Sequence, residues 1–354
     1  WFKQIWNNVL TYTDSFGDHN LTVMAGSEYR DDAWDYLTAT GLEFPYENEE
    51  SWFIDQSLTK PEEDVRDSGS RYYGLSYFGR VSYNYMNRYL LYGTYRADGT
   101  SKYQEKWGYF PTVGAGWVVT EEDFMADNGL VDYLKLRASW GKLGNNSVPA
   151  SDGASTTRVV TVALDDQLVS GTSTSSNFSY LKWEVTEETN FGLTANFFDS
   201  RLSVDADYYT RDTEDAVISI QVPLVGQTVR RSLGVIRNSG FELAMNWSNK
   251  ISDDFSYNIG FNISTLKNEV LDLYGQEYIN GGSAEFRQRT IVGESLLAFY
   301  GWETNGIYQS WDEINSDPIA VENGLEPGDF RYKDQQAEGE EGHGIIDGED
   351  RVIL

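Results

Sequence analysis

Three groups of residues in this chain have types and spacing suited to chemistry. Trp34, Tyr36, Trp52 and Phe53 place four aromatic rings within twenty positions, among many carboxylates. Rings of this kind stack on the flat C–H faces of sugars, while Asp, Asn and Arg groups satisfy sugar hydroxyls; a ligand site combines apolar surface with a few placed polar groups. The same rings are equally suited to a belt at a water–lipid boundary, or to packing against another protein. Arg230 and Arg231 are adjacent cations that fit an acidic group, either on a ligand or in an acidic stretch of the same chain. The third group is Asp334, Asp347 and Asp350, the remains of a calcium-loop pattern. With Asp350 at the twelfth position, Asp347 falls at the ninth and Gly344 at the glycine turn. However, His343 stands where an acid belongs, and Gly339 occupies the first position, which should be a carboxylate. Asp334 would replace it only across an insertion, so a solvated acidic loop is the plainer reading.

Little else points to a reaction. The chain has two histidines, His19 and His343, and neither sits beside a nucleophile in a hydrolase-like motif. Gly114-Ala115-Gly116 lacks the rest of a phosphate-cradling pattern. No catalytic residue is assigned and no cofactor is required; calcium at Asp334, Asp347 and Asp350 is the one cofactor the pattern suggests.

Net charge is −29 over 354 residues, and it is concentrated. Asp31 to Asp64 holds eleven acids and one base, and Pro327 to Asp350 holds eight acids and two bases. Carboxylates repel phosphates, so nucleic acid is excluded as a partner. There is no cysteine, and no apolar run long enough for a membrane helix. Aromatics are dense: 24 Tyr, 17 Phe and 11 Trp. Tyr and Trp favour lipid–water boundaries, though a large soluble β-protein can also be rich in them.

The elements that must carry these residues are strands. Phe191, Leu193, Ala195 and Phe197 alternate with Asn190, Gly192, Thr194 and Asn196. Leu202, Val204, Ala206 and Tyr208 follow the same rhythm, as do Phe241, Leu243, Met245 and Trp247, and then Phe255 to Ile263. Successive strand side chains point to opposite faces, so each segment has one greasy and one wet wall, the pattern of a transmembrane β-barrel. Strand pairs are expected at 4–14 with 21–30, 71–86 with 89–98, 107–119 with 131–142, 180–198 with 201–213, and 235–248 with 255–267. Their turns are short, whereas the segments between pairs (31–70, 99–106, 143–179, 214–234 and everything after 268) are long. Short turns on one rim and long loops on the other mark an outer-membrane barrel, long loops outward. Pro111 falls inside an expected strand, where its missing N–H breaks a ladder bond, which places it near the outer rim or at a bulge. Gly114 and Gly116 in that strand imply a bend or a close approach.

One family has this arrangement. Phe78-Gly79-Arg80-Val81-Ser82-Tyr83-Asn84-Tyr85, Arg88-Tyr89-Leu90-Leu91, Arg96-Ala97-Asp98-Gly99-Thr100-Ser101 and Trp107-Gly108-Tyr109-Phe110-Pro111 are followed by Leu134-Lys135-Leu136-Arg137-Ala138-Ser139-Trp140-Gly141. Trp183-Glu184, Asn238-Ser239-Gly240-Phe241-Glu242, Pro327-Gly328-Asp329 and Asp350-Arg351-Val352 continue the series. In this order they resemble the SusC-like TonB-dependent outer-membrane transporters of Bacteroidetes. The resemblance implies an all-β, antiparallel barrel of about 22 strands around an N-terminal plug, the size class of plugged transporters. About ten of those strands are expected here, over about residues 1–267, with one long outer loop over about 268–354. The plug, the TonB-contacting segment and the last strands are expected to lie outside this chain, so that other segments of the same barrel flank both edges.

By the same resemblance, the expected function is TonB-dependent import of nutrients, oligosaccharides first and peptides second, across the bacterial outer membrane. A SusD-like lipoprotein would close over the mouth, and loops 31–70, 143–179, 214–234 and 268–354 would touch lid or ligand. Trp34, Tyr36, Trp52, Phe53, Arg230 and Arg231 are the candidate substrate contacts. Two alternatives stay open: a passive porin or adhesin on the same barrel, and a secreted, soluble glycan-binding β-protein.

Overall fold

The computed structural model describes residues 1–46, 48–49, 53–60, 65–126, 128–147, 156–164, 167–175, 182–221, 228–232, 234–283, 286–336 and 343–354; of 156–175 and 218–232 it describes the backbone only. The chain divides into two compact units, Trp1–Leu233 with Ser239–Leu266, and Gly234–Asn238 with Lys267–Leu354.

The first unit is built on one sheet. Its strands are β1 (Phe2–Phe16), β2 (His19–Thr38), β3 (Arg66–Tyr85), β4 (Tyr89–Thr100), β5 (Trp107–Val118) and β6 (Val131–Asn145). A hairpin of β7 (Thr156–Leu164) and β8 (Gln167–Ser175) precedes β9 (Glu184–Phe197) and β10 (Leu202–Glu214). A second hairpin, β11 (Val217–Gln221) and β12 (Thr228–Ser232), precedes β13 (Val235–Ser252) and β14 (Phe255–Asp272). The main sheet has ten strands in the order β1-β2-β3-β4-β5-β6-β9-β10-β13-β14, so with the two hairpins set aside every neighbour in the sheet is also a neighbour along the chain.

Register decides which residues share a wall. Val81 pairs with Val23 and Gly93, Gly93 with Val113, Val113 with Trp140, and Trp140 with Thr189. Following this face across the sheet collects Leu91, Val113, Ala115, Leu136, Ala138, Phe191, Leu193, Ala206 and Tyr208. Among the described residues no second layer of protein covers it: Leu91, Val113 and Phe191 are all more than half exposed. The opposite face carries Thr22, Glu28, Arg30, Ser76, Arg80, Ser82, Thr94, Arg96, Ser139, Asn190, Asp205 and Asp207. An apolar exposed wall backed by a polar one is what acyl chains outside and water inside require.

Aromatic rings bound the apolar band on both sides. Near the long-loop rim, Tyr77 stacks with Trp107 and Tyr95 with Tyr109, ring centroids 6.3 and 6.4 Å apart. Near the short-turn rim, Phe16, His19, Tyr85 and Tyr89 form a chain of ring contacts, and Trp117 meets Phe124 edge-on. Glu122 ties that rim together, accepting from the Tyr89 hydroxyl at 2.5 Å, Trp117 Nε1 at 3.0 Å and Arg88 at 3.3 Å. Tyr109 and Trp117 are eight residues apart on β5, about 26 Å along a strand, which matches a tilted crossing of an apolar band about 25 Å tall.

Expectation and structure differ in detail. The connection between β5 and β6 carries two 3-10 turns, Val119–Glu121 and Asp123–Met125. Pro111 pairs in register with Tyr95, and the β5–β6 ladder begins only at Thr112–Gly141; the missing N–H therefore falls where that ladder has ended, without a bulge. The close approach at Gly114 is made by Tyr92, whose ring would lie 2.3 Å from a Cβ there. The long connections are more regular than loops: β2 and β3 stay paired out to Thr38 and Arg66, and the stretches 143–179 and 214–234 each contain a hairpin.

The segment after 268, expected as one long loop, also has its own structure. It carries a four-stranded sheet of β15 (Tyr278–Gly282), β16 (Arg287–Ile291), β17 (Ala298–Trp302) and β20 (Arg351–Ile353). A second small sheet pairs β18 (Thr304–Ile307) with β19 (Phe330–Tyr332). Between them lie the helices α1 (Trp311–Ser316) and α2 (Pro318–Glu322). Ser310 caps α1 by accepting from the Glu313 N–H at 3.3 Å, and Asp317 caps α2, with Pro318 in the first turn. Tyr308, Ile314 and Ala320 form a small core against Leu325. Strands of three to five residues are too short to reveal a period of two, which is why the sequence reads as loop here.

A charge on the apolar wall should be costly. Val113 lies midway between the two aromatic rims on β5, so Val113→Arg is expected to lower stability by about 2–4 kcal/mol. Asn190→Arg, on the polar wall, should cost under about 1 kcal/mol. Urea unfolding in lipid vesicles reads both; equal costs would mean the two walls meet the same solvent.

Candidate functional site

The polar wall is a continuous ladder of rings and charges. Its outermost part stands on the extension of β2. Trp34 and Tyr36 occupy alternate positions there and stack, centroids 5.7 Å apart and planes at 9°. Their register partners on β3 are Ser70 and Ser68, small residues that do not cover the rings. Trp34 is 42% and Tyr36 52% exposed.

Next along the same face is Asp32, which is buried. It accepts from Trp1 Nε1 at 3.0 Å, Arg30 Nη2 at 3.0 Å and the Tyr72 hydroxyl at 3.3 Å. Tyr72 lies between two cations: Arg30 is 5.4 Å and Lys102 Nζ 4.3 Å from its ring centre. Lys102 also donates to the Asn146 carbonyl at 2.9 Å. Deeper on the wall, Arg96 donates to Asp98 at 2.7 Å and to Ser76 Oγ at 3.1 Å, above the Phe78 ring. Arg80 donates to Ser82 Oγ at 3.1 Å and faces the Tyr92 ring. Arg137 is held by Asp207 and by Thr194 Oγ1, and Arg211 by Glu188 at 2.9 Å. Pairing of this kind satisfies the charges within the wall and fixes their positions.

A knot of rings anchors the outer part of β5. Trp183 meets Tyr103 and Phe110 edge-on, at 5.4 and 5.3 Å. Its Nε1 donates to the Lys106 carbonyl at 3.2 Å, and the Tyr103 hydroxyl to the Asn145 carbonyl at 3.1 Å. Phe110 fits because Gly108 and Gly144 leave its ring the space; a Cβ on either would lie within 2.4 Å of it.

Trp34 and Tyr36 thus come together, on a strand and not in the loop the sequence suggested, because pairing of β2 with β3 continues beyond what a bilayer crossing needs. Phe53 is exposed, just ahead of the 3-10 turn Ile54–Gln56, and is not among the contacts of this wall described above. Trp52 lies outside the described residues. Arg230 and Arg231 belong to β12, in register with Ser219 and Ile218, and not to an irregular loop. The sequence reading missed Asp32, Tyr72, Lys102, Arg96 and Trp183. Of these, only Arg96, between Tyr95 and Ala97, carried the alternating signal of a strand.

Asp334 and Asp350 are engaged by the backbone. Asp334 accepts from the N–H groups of Gly344 at 2.7 Å and Gln336 at 3.0 Å, with His343 Nδ1 3.1 Å away. Asp350, fully buried, accepts from the N–H groups of Gln335 at 2.8 Å and Asp347 at 2.7 Å. Asp347 turns instead to the Glu349 N–H at 2.8 Å. Among the described residues, no three acidic or histidine side chains gather as a metal site.

Residues 2–338 match the family described as TonB dependent receptor-like, beta-barrel. The chain belongs to that family. It is 29% identical to TonB-dependent receptor P3 of Formosa agariphila, over 98% of this chain and 35% of that protein. It is 27% identical to TonB-dependent receptor SusC of Bacteroides thetaiotaomicron, over 89% of this chain and 32% of that one. Its fold matches the solved RagAB peptide transporter with a TM-score of 0.75 at 23% identity, over 87% of this chain and 34% of that one. The chain therefore spans about a third of the length of the relatives it matches. Proteins of this family are outer-membrane transporters, not enzymes, and the secreted soluble alternative falls with that membership.

The Asp334 turn is expected to respond to acid. The Gly344 N–H, reinforced by that of Gln336, holds the Asp334 carboxyl below the ordinary carboxylate range. A depressed value means that its contribution is complete above the ordinary pKa of about 3.9 and is lost as pH falls through the lower, folded value. Trp302 Nε1 donates to the Asp347 carbonyl at 2.5 Å and so reports on this turn. Asp334→Ala should remove the part of the change in indole emission below about pH 4 that Trp302 contributes, while indoles bonded to other carboxylates, such as Trp1 on Asp32 and Trp117 on Glu122, still respond.

Proposed function

We infer that this receptor forms the wall and outer vestibule of an energised importer that takes up oligosaccharides across the outer membrane. The observation that carries the reading is the stacked pair Trp34–Tyr36 on the polar wall, beyond the bilayer-crossing part of β2, with only serines opposite. The stacked pair leaves its outer ring faces and edges open to a sugar's C–H face, and Asp32, Arg30, Tyr72 and Lys102 below them supply hydrogen-bond partners for hydroxyls. A porin that selects only by size would have no need of such a surface.

Family membership supports energised import over passive diffusion. TonB would act through a plug filling the lumen, and the paired charges on the polar wall (Arg96 with Asp98, Arg137 with Asp207) suit contact with a movable polypeptide better than with lipid. A SusD-like lipoprotein would close over the long-loop rim, and further strands of the barrel would pair with β1 and β14. No metal or cofactor enters the reading. Peptides are the second cargo class, since RagAB is described as a peptide transporter.

Binding of the purified protein in detergent to glycan mixtures and to tryptic peptides, read by calorimetry, tests the reading. Trp34→Ala with Tyr36→Ala should weaken glycan binding about tenfold, since a stacked ring contributes about 0.5–1.5 kcal/mol, while heat-modifiable migration on gels stays unchanged. Unaltered glycan affinity in that double variant, or binding of peptides alone, would remove the oligosaccharide assignment.

A further inference from the structure

The second compact unit contains a cavity of about 210 Å3 that plays no part in the polar wall. Trp302 and Tyr332 line one side, ring centroids 5.7 Å apart and planes at 49°. Tyr308, Asp317, Asn323 and Ile346 also line it. Its polar groups are held in place. The Tyr308 hydroxyl donates to Asp317 Oδ2 at 2.6 Å, Asp317 Oδ1 accepts from the Ile319 N–H at 3.1 Å, and Asn323 Nδ2 donates to the Ile319 carbonyl at 2.8 Å. Each carboxylate or amide oxygen accepts two hydrogen bonds, so these groups keep capacity for donors from a guest.

Three properties narrow the guest. At about 30 Å3 per water, the space holds about seven waters, the bulk of one six-membered ring with its substituents. A cation is disfavoured because two guanidinium groups already cover rings of the site from outside the cavity: Arg331 lies 4.4 Å from the Tyr308 ring centre and Arg351 4.2 Å from that of Trp302. A purely apolar side chain would strip water from Asp317 and Asn323 and give no donor in return, which is costly. A guest with an apolar face and hydroxyls around its edge meets all three conditions.

The geometry points to a subsite for one neutral pyranose ring, stacked on Trp302 or Tyr332 with its hydroxyls on Asp317 and Asn323. It rests on the oligosaccharide reading and places a second contact for the same cargo in the segment after residue 268.

Saturation-transfer NMR on the protein in detergent, with glucose, galactose and mannose each as the probe, tests the assignment. At least one hexose should receive saturation on its ring C–H protons, and Trp302→Leu and Asp317→Asn should each cut that signal about fivefold or more. Asn is itself a good helix cap, so Asp317→Asn keeps the start of α2 intact; thermal melting of both variants confirms folding. A hexose signal that survives both substitutions, or that phenylalanine amide displaces as readily as the sugar itself, overturns the subsite. Loss of hexose binding here is distinguishable from failure of the oligosaccharide reading. If no hexose binds but glycans still bind in a manner sensitive to Trp34→Ala, only this subsite falls; if neither binds, both fall.

Discussion

The main sheet is governed by one constraint: inside hydrocarbon, a backbone N–H or carbonyl has no partner except another strand. A single unpaired group there costs several kcal/mol, comparable to a large share of a domain's net stability. The ladders follow from this. β1 through β5 pair over their whole shared length with no register shift. The shift between β6 and β9 lies at Val131–Tyr133, beside the short-turn rim, where water can reach the backbone. Proline is admitted only where the β5–β6 ladder has already stopped. Once the ladders are fixed, side-chain identity follows from position: a residue on one wall meets acyl chains, its neighbour meets water, and a slip of one residue would exchange them.

The polar wall solves a different problem. Arg30, Arg96, Arg137 and Arg211 are not left alone on this wall: each has a carboxylate within reach. Several of these groups remain partly exposed, so each pair adds little to stability, roughly 0–1 kcal/mol. Their effect is positional. Asp32 gathers an indole, a guanidinium and a phenol around one carboxylate and so holds Tyr72 and Arg30 in fixed orientations beneath the Trp34–Tyr36 stack. The knot of Trp183, Phe110 and Tyr103 does the same through shape, with Gly108 and Gly144 setting the room available.

Strand rhythm was legible because it has a period. The alternation at 190–197, 202–208 and 241–247 fixed strands, walls and short turns from residue types alone, and the ten-stranded sheet follows it. The candidate site was legible only in its residue types. Trp34 and Tyr36 stood out as rings among acids, but their acidic surroundings disguised a strand: Asp31, Asp32 and Asp35 read as solvated loop until Asp32 is seen accepting three hydrogen bonds. Asp32, Tyr72 and Lys102 converge from three segments far apart in the sequence, a proximity that no local pattern encodes. After residue 268 the strands shrink to a few residues, and the small core of Tyr308, Ile314 and Ala320 gives no period to detect. Arg230, Arg231 and Trp52 were chosen by residue type, and type alone does not fix where a side chain points.

The paired overhang of β2 and β3 also bears on timing. A floppy segment must be ordered at the moment of capture, and that loss of freedom slows or weakens the encounter. Here the rings ride on a hydrogen-bonded ribbon that continues the wall below, so their orientation is set before any guest arrives. On the reading proposed above, a diffusing sugar would meet surfaces already aligned, with no ordering left to complete on contact.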